Sequence, residues 1–330
     1  MKLGDFAWNQ PDAVNDRIWR DSPGIQSEIP PVFGAAGTVG CQQSMLCHSS
    51  GERLSPLSWV PDLITNAACG PVSSGQFEPG TALVIGSAYS PFAGEGVGRK
   101  RTLPVARYAE AGNWWEFQRT FVEHVVEKDE DYYDKIDLLL PAGLFGPGGR
   151  KFVLTDLCKG AFCLRRKGEA RRQFYGGDGI VSGKAANLGG LRDEAPNLFL
   201  RYCRESFPWV WSRILNGGIR RVLVLGWLAE TVFLRAIHSF VRGSEYKIRA
   251  TDGFVFGGEI EWDNFDWMRK RGSYARQPLG CWIARPRSWW EVSGRQLETP
   301  VRVLPVYHPS STDSNDRNYL KTREALSEFL

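Results

Sequence analysis

The chain has 330 residues, 42% hydrophobic and 24% charged, and its 41 Lys and Arg against 37 Asp and Glu leave a net charge of +4. Those proportions belong to a globular protein with a full core, and the near balance of charge announces no polyanion-binding tail. No apolar run approaches the roughly 20 residues needed to span a bilayer.

The start, MKLGDFAWNQPD, lacks an apolar signal core, so a cytoplasmic location is expected. Seven cysteines is an odd number for a disulfide framework and fits a reducing compartment. Cys41 with Cys47, and Cys158 with Cys163, lack the tight CxxC spacing of metal or cluster ligands. Buried or spare thiols are therefore expected, with no metal and no cofactor.

In chain order, residues 1–80 are turn-rich (SPG, IPP, CGPVSSG) and read as an N-terminal extension wrapped on the domain. TALVIG (81–86) reads as a buried strand stopping at glycine. Trp114, Phe117, Phe121, Val122 and Val125 recur at helical spacing and predict a core-facing helix over 113–128. KFVLTD (151–156) is a second strand, ending at Asp156. A glycine- and arginine-rich stretch from Cys158 to Gly190 follows and reads as a long functional loop.

Pro196 opens a helix that breaks near Pro208. RRVLVLG (220–226) is a third strand, followed by a helix over 227–241. The aromatic, basic and glycine-rich interval 243–300 predicts an insertion carrying β-hairpins. RVLPVYHPSS (302–311) is a fourth strand running into His308 and a polar loop, and a helix over 316–330 closes the chain. Pro309 restricts His308 to an extended backbone, which holds its ring at the strand's mouth.

Four apolar strands separated by helices predict a single α/β domain: a three-layer α-β-α sandwich with a central, mostly parallel four-stranded sheet. Its core is 81–242 and 301–330. Ligands of such sheets lie beyond the carboxyl ends of the strands, which points to Gly86, Asp156, Gly226 and His308.

VIGSAYSPFAGEGVG, FVLTDLCKG, RRVLVLGWLAETVF and the HPS loop, in that order and at strand ends, together resemble the motifs of the uracil-DNA glycosylase superfamily. The resemblance spans 81–311. It implies a base-flipping hydrolase that cuts the N-glycosidic bond of a nucleotide in duplex DNA, acting as a monomer without cofactor. On it, His308 donates a hydrogen bond to O2 of the departing pyrimidine, as an oxyanion hole does. Ser310 and Ser311 lie against the minor-groove backbone. The first loop (Gly86, Ser87, Ala88, Tyr89, Ser90 and Phe92) lines the base pocket, with Tyr89 and Phe92 as stacking rings or core packing. Lys159, Arg165, Arg166 and Lys167 pair with phosphates, or form a solvated basic loop.

Three departures bear on specificity. The superfamily's water-orienting aspartate falls on Ala88, so Glu95 is the nearest carboxylate for that task. The gate tyrosine falls on Ser90, leaving room for a 5-substituent. The asparagine that reads uracil falls on Asp156, whose carboxylate only accepts hydrogen bonds and suits the amino group of cytosine. The pattern is similar to anti-phage glycosylases that excise glucosylated hydroxymethylcytosine. A uracil repair glycosylase and a catalytically silent nucleic-acid-binding module are the alternatives.

Overall fold

The computed structural model describes residues 62–71, 74–88, 135–136, 149–158, 162–164, 173–175, 203, 207, 209–240, 246–251, 289–308 and 317–329. Its strands are β1 (Leu63–Ile64), β2 (Ala82–Ala88), β3 (Phe152–Cys158), β4 (Phe162–Leu164), β5 (Gln173–Tyr175), β6 (Arg221–Leu225), β7 (Lys247–Ala250), β8 (Trp290–Ser293) and β9 (Val301–Val306). Two long helices follow strands, α1 (Gly226–Phe240) after β6 and α2 (Arg317–Phe329) after β9. Residues 209–215 are also helical. The helix expected over 113–128 and the start at Pro196 lie outside the described residues.

The protein is an α/β fold on one mixed seven-stranded sheet of order β1-β3-β2-β6-β9-β8-β7. The four strands expected from sequence are its middle, and β3, β2, β6 and β9 run parallel. Ala82, Leu83, Val84 and Ile85 of β2 are each 0% exposed, as befits a parallel strand covered on both faces.

The expected sheet of four strands is too small. Antiparallel strands extend it at both edges: β1 pairs with β3, β8 with β9, and β7 with β8. Residues 63–64 of the N-terminal extension and both ends of the 243–300 interval thus belong to the main sheet. Their runs are short, and a short strand is recognised only by the partner that completes its ladder. Within the stretch expected as one long loop, β4 and β5 form a separate antiparallel pair.

Along β7 burial alternates, with Lys247 and Arg249 exposed and Ile248 and Ala250 buried. Charged side chains on an outer strand discourage further pairing. Pro305 of β9 lies beyond the last β8 pair, Trp290 with Val303, where its missing N–H costs no bond to that neighbour.

Helix α1 packs on β2, β3, β6 and β9. Its Ala229, Val232, Phe233, Ala236 and Ile237 recur at helical spacing and are fully buried. Phe233 meets the rings of Phe207 and Trp211, which ties the 209–215 helix to α1. The Glu230 carboxylate of α1, also fully buried, accepts a hydrogen bond from Trp290 Nε1 of β8 at 3.2 Å. Just before β8, Trp289 makes an edge-on ring contact with Phe329 of α2.

Candidate functional site at the carboxyl ends of the parallel strands

The parallel register brings the sequence-predicted residues to one end of the sheet. Gly86 of β2 is paired with Asp156 of β3, and Ile85 with Val224 of β6. Leu225 is paired with Val306 of β9, so Gly226 and His308 lie just beyond that pair. Across the strand order Asp156 and His308 are three inter-strand steps apart, about 14 Å at about 4.8 Å per step. Both are half-buried, as is Tyr307.

β2 and β3 run two residues past the expected ends at Gly86 and Asp156, to Ala88 and Cys158, while β6 ends at Leu225 directly before Gly226. Gly86 is buried, and Gly226 adopts φ +85°, a left-handed conformation that side chains resist. A Cβ on Gly226 would stand 3.0 Å from His308 Cβ and 3.4 Å from Cδ2. His308 therefore packs directly on bare backbone where α1 begins. At this end of the sheet Asp156 and His308 stand on the outer two of the four parallel strands, with Gly86 beside Asp156, the buried Leu225 next in register, and Gly226 against His308. At the same place the first turn of α1 leaves backbone N–H groups without intrahelical acceptors.

No protein-family model and no curated protein matches this chain. The chemistry of the site has to be argued from its residues.

Ser87 and Ala88 continue β2 past Gly86, with Ala88 paired to Cys158. Tyr89, Ser90, Phe92, Glu95, Lys159, Arg165, Arg166, Lys167, Ser310 and Ser311 lie outside the described residues. Among the described residues no group of three His, Cys, Asp or Glu is placed to hold a metal, and no helix is long and apolar enough to cross a membrane.

Sequence reasoning missed a buried polar cluster behind Asp156. Asp62 Oδ2 accepts from Arg213 Nε at 2.7 Å and from Trp209 Nε1 at 3.2 Å, and its Oδ1 accepts from Thr155 Oγ1 at 2.5 Å. The side chains of Arg213 and Asp62 are 0% and 1% exposed. Burial pulls the Arg213 guanidinium below its ordinary pKa, while the charge and hydrogen bond of Asp62 hold it up. The Trp209 ring lies 4.7 Å from the guanidinium carbon, adding a cation–π contact. An aspartate directly before an apolar pair was the available signal, but its partners are 93 to 151 residues away in sequence.

Cys69 and Cys203 are not joined in disulfides. Burial pushes the Cys69 thiol up to about 11, so it is a poor nucleophile at neutral pH.

Proposed function

We propose that the protein is a DNA glycosylase that flips a 5-substituted cytosine out of duplex DNA and hydrolyses its N-glycosidic bond. The observation that carries this reading is the parallel register that brings Asp156 and His308 to one end of the sheet, with Gly86 beside Asp156 and Gly226 against His308. Glycine in place of larger residues leaves a planar base room to approach the strand ends, and the two polar side chains can meet its edges. In this reading helices cover both faces of the parallel strands, giving a three-layer α-β-α sandwich, and the chain acts as a monomer without cofactor.

The chemistry follows from these two side chains. As the C1′–N1 bond breaks, its electron pair stays with the base and negative charge gathers on O2. His308 donates a hydrogen bond to that oxygen, and the free N–H groups of the first turn of α1 favour the same charge. Water adds its hydroxyl to C1′, giving the abasic sugar, and its remaining proton neutralises the base anion. Glu95 is the carboxylate proposed to orient that water in place of Ala88.

Asp156 selects the base. Its carboxylate accepts from the N4 amino group of cytosine and repels O4 of uracil. An unrestricted cytosine glycosylase would destroy its own genome, so the pocket must demand a further group, for which Ser90 leaves space. Glucosylated hydroxymethylcytosine of phage DNA meets that demand. Lys159, Arg165, Arg166, Lys167, Ser310 and Ser311 are proposed to hold the flanking phosphates.

The test is to offer duplex oligonucleotides bearing uracil, cytosine, hydroxymethylcytosine or its glucosylated form, and to quantify free base and abasic sites by mass spectrometry. Release of the glucosylated base is expected. Release of uracil alone would make the protein a repair glycosylase, and binding without release a silent nucleic-acid-binding module.

A further inference from the structure

We propose that Asp62 is a positioning residue for Asp156, acting through Thr155. The inference rests on the glycosylase reading and names the device that fixes its base selection.

β1 runs antiparallel to β3 with Leu63 opposite Leu154 and Ile64 opposite Val153, so Asp62 falls opposite Thr155 at the site end of the strand. There the Thr155 hydroxyl donates to Asp62 Oδ1 at 2.5 Å. The second oxygen of the same carboxylate is held by Arg213 and Trp209. Asp62 is itself 1% exposed and Thr155 likewise, so no water competes for these bonds.

Successive side chains of a strand point to opposite faces. Thr155 pointing at Asp62 therefore turns Asp156 to the other face, the one it shares with its partner Gly86. A slip of β3 by one residue would exchange the two, placing a hydroxyl where the base-reading carboxylate belongs. Apolar pairing alone guards weakly against that slip, because Leu154 and Leu157 bracket the polar pair with apolar residues on either parity. A buried ion pair is a weak source of stability compared with apolar side chains of the same volume. What Arg213 and Asp62 supply is one fixed acceptor position for Thr155. Discrimination between an amino group and a carbonyl depends on such fixed geometry.

The full chain is tested with Thr155→Val, which removes the hydroxyl and leaves the Asp62–Arg213 pair intact. Melting temperature, kcat, KM and the ratio of 5-substituted cytosine to uracil release are measured on duplex oligonucleotides. Thr155→Val is expected to melt within a few degrees of wild type and keep KM. Its kcat on the cytosine substrate and its cytosine-to-uracil ratio should each fall on the order of tenfold, the worth of a hydrogen bond to a charged group. Thr155→Ser should restore both.

If Thr155→Val proves too unstable, Asp62→Glu, which keeps the charge on Arg213 while moving the acceptor, is read by the same ratio. A ratio within about twofold of wild type overturns the role of Asp62, whatever happens to stability or total rate. Should Asp156→Asn move the ratio while Thr155→Val does not, only the positioning role fails. Should the wild type release no base at all, the glycosylase reading falls, and this role with it.

Discussion

Gly226 and His308 are in contact without an intervening side chain: a methyl group on Gly226 would lie 3.0 Å from His308 Cβ. Gly226 also has φ +85°. Gly226→Ala therefore carries two penalties, a left-handed backbone costing about 1–2 kcal/mol and a displaced histidine. We expect a lower melting temperature together with a fall in base release larger than the stability loss explains. Thermal melts and single-turnover rates on one preparation check this, and a variant that is destabilised but fully active would separate the contact from catalysis.

His308→Ala removes the proposed donor to O2 while leaving the carboxyl ends of the strands in place. Release should fall by on the order of 100-fold or more, as for loss of an oxyanion-hole donor. Duplex binding, measured by fluorescence anisotropy, should stay near wild type.

Asp156→Asn replaces an acceptor with an amide that also donates. Preference should move from cytosine toward uracil by roughly 1–3 kcal/mol. Competition between the two substrates in one reaction measures the ratio directly, and an unchanged ratio would remove Asp156 from base reading.

Arg213→Leu takes the charged partner from the buried Asp62 carboxylate and leaves the hydrogen bonds from Thr155 and Trp209. Breaking one side of a buried pair typically costs about 3–5 kcal/mol. The double variant Asp62→Leu/Arg213→Leu should recover much of that loss, since neither charge remains buried. Urea unfolding of wild type, both single variants and the double variant closes the cycle.

Cys69 gives the pH dependence. Its folded-state pKa of about 11 stands above the ordinary 9.0, so the folded chain holds its proton while the unfolded chain gives it up. The resulting stability is fully present below pH 9.0 and is lost as pH rises toward about 11. Wild type should lose melting temperature across that window faster than Cys69→Ala. Tyr246, also raised by burial, contributes equally to both proteins and cancels from the comparison.

The four central strands were legible because each is an apolar run long enough to be buried on both faces, as Ala82–Ile85 illustrate. Gly86, Asp156, Gly226 and His308 were legible for a related reason: each is the first residue that breaks such a run. β1 escaped because two residues carry too little periodicity and its partner β3 lies elsewhere in the chain, whereas the antiparallel strands expected in 243–300 are present as β7 and β8 but join the main sheet. The Asp62 cluster escaped on the same ground as β1. Nothing near Asp62 announces Arg213, and only the folded sheet brings them within 2.7 Å.

The position of β9 has a consequence for synthesis of the chain. Among the described strands it is the last made, yet it lies between β6 and β8 and pairs with both. Until residues 301–306 leave the ribosome, the edges of β6, rich in valine and leucine, and of β8 stand open with their backbone groups unsatisfied, and such edges recruit other chains. Fragments ending before Val301 should therefore aggregate, and folding should be slow, because β6 and β8 are joined only when β9 arrives between them.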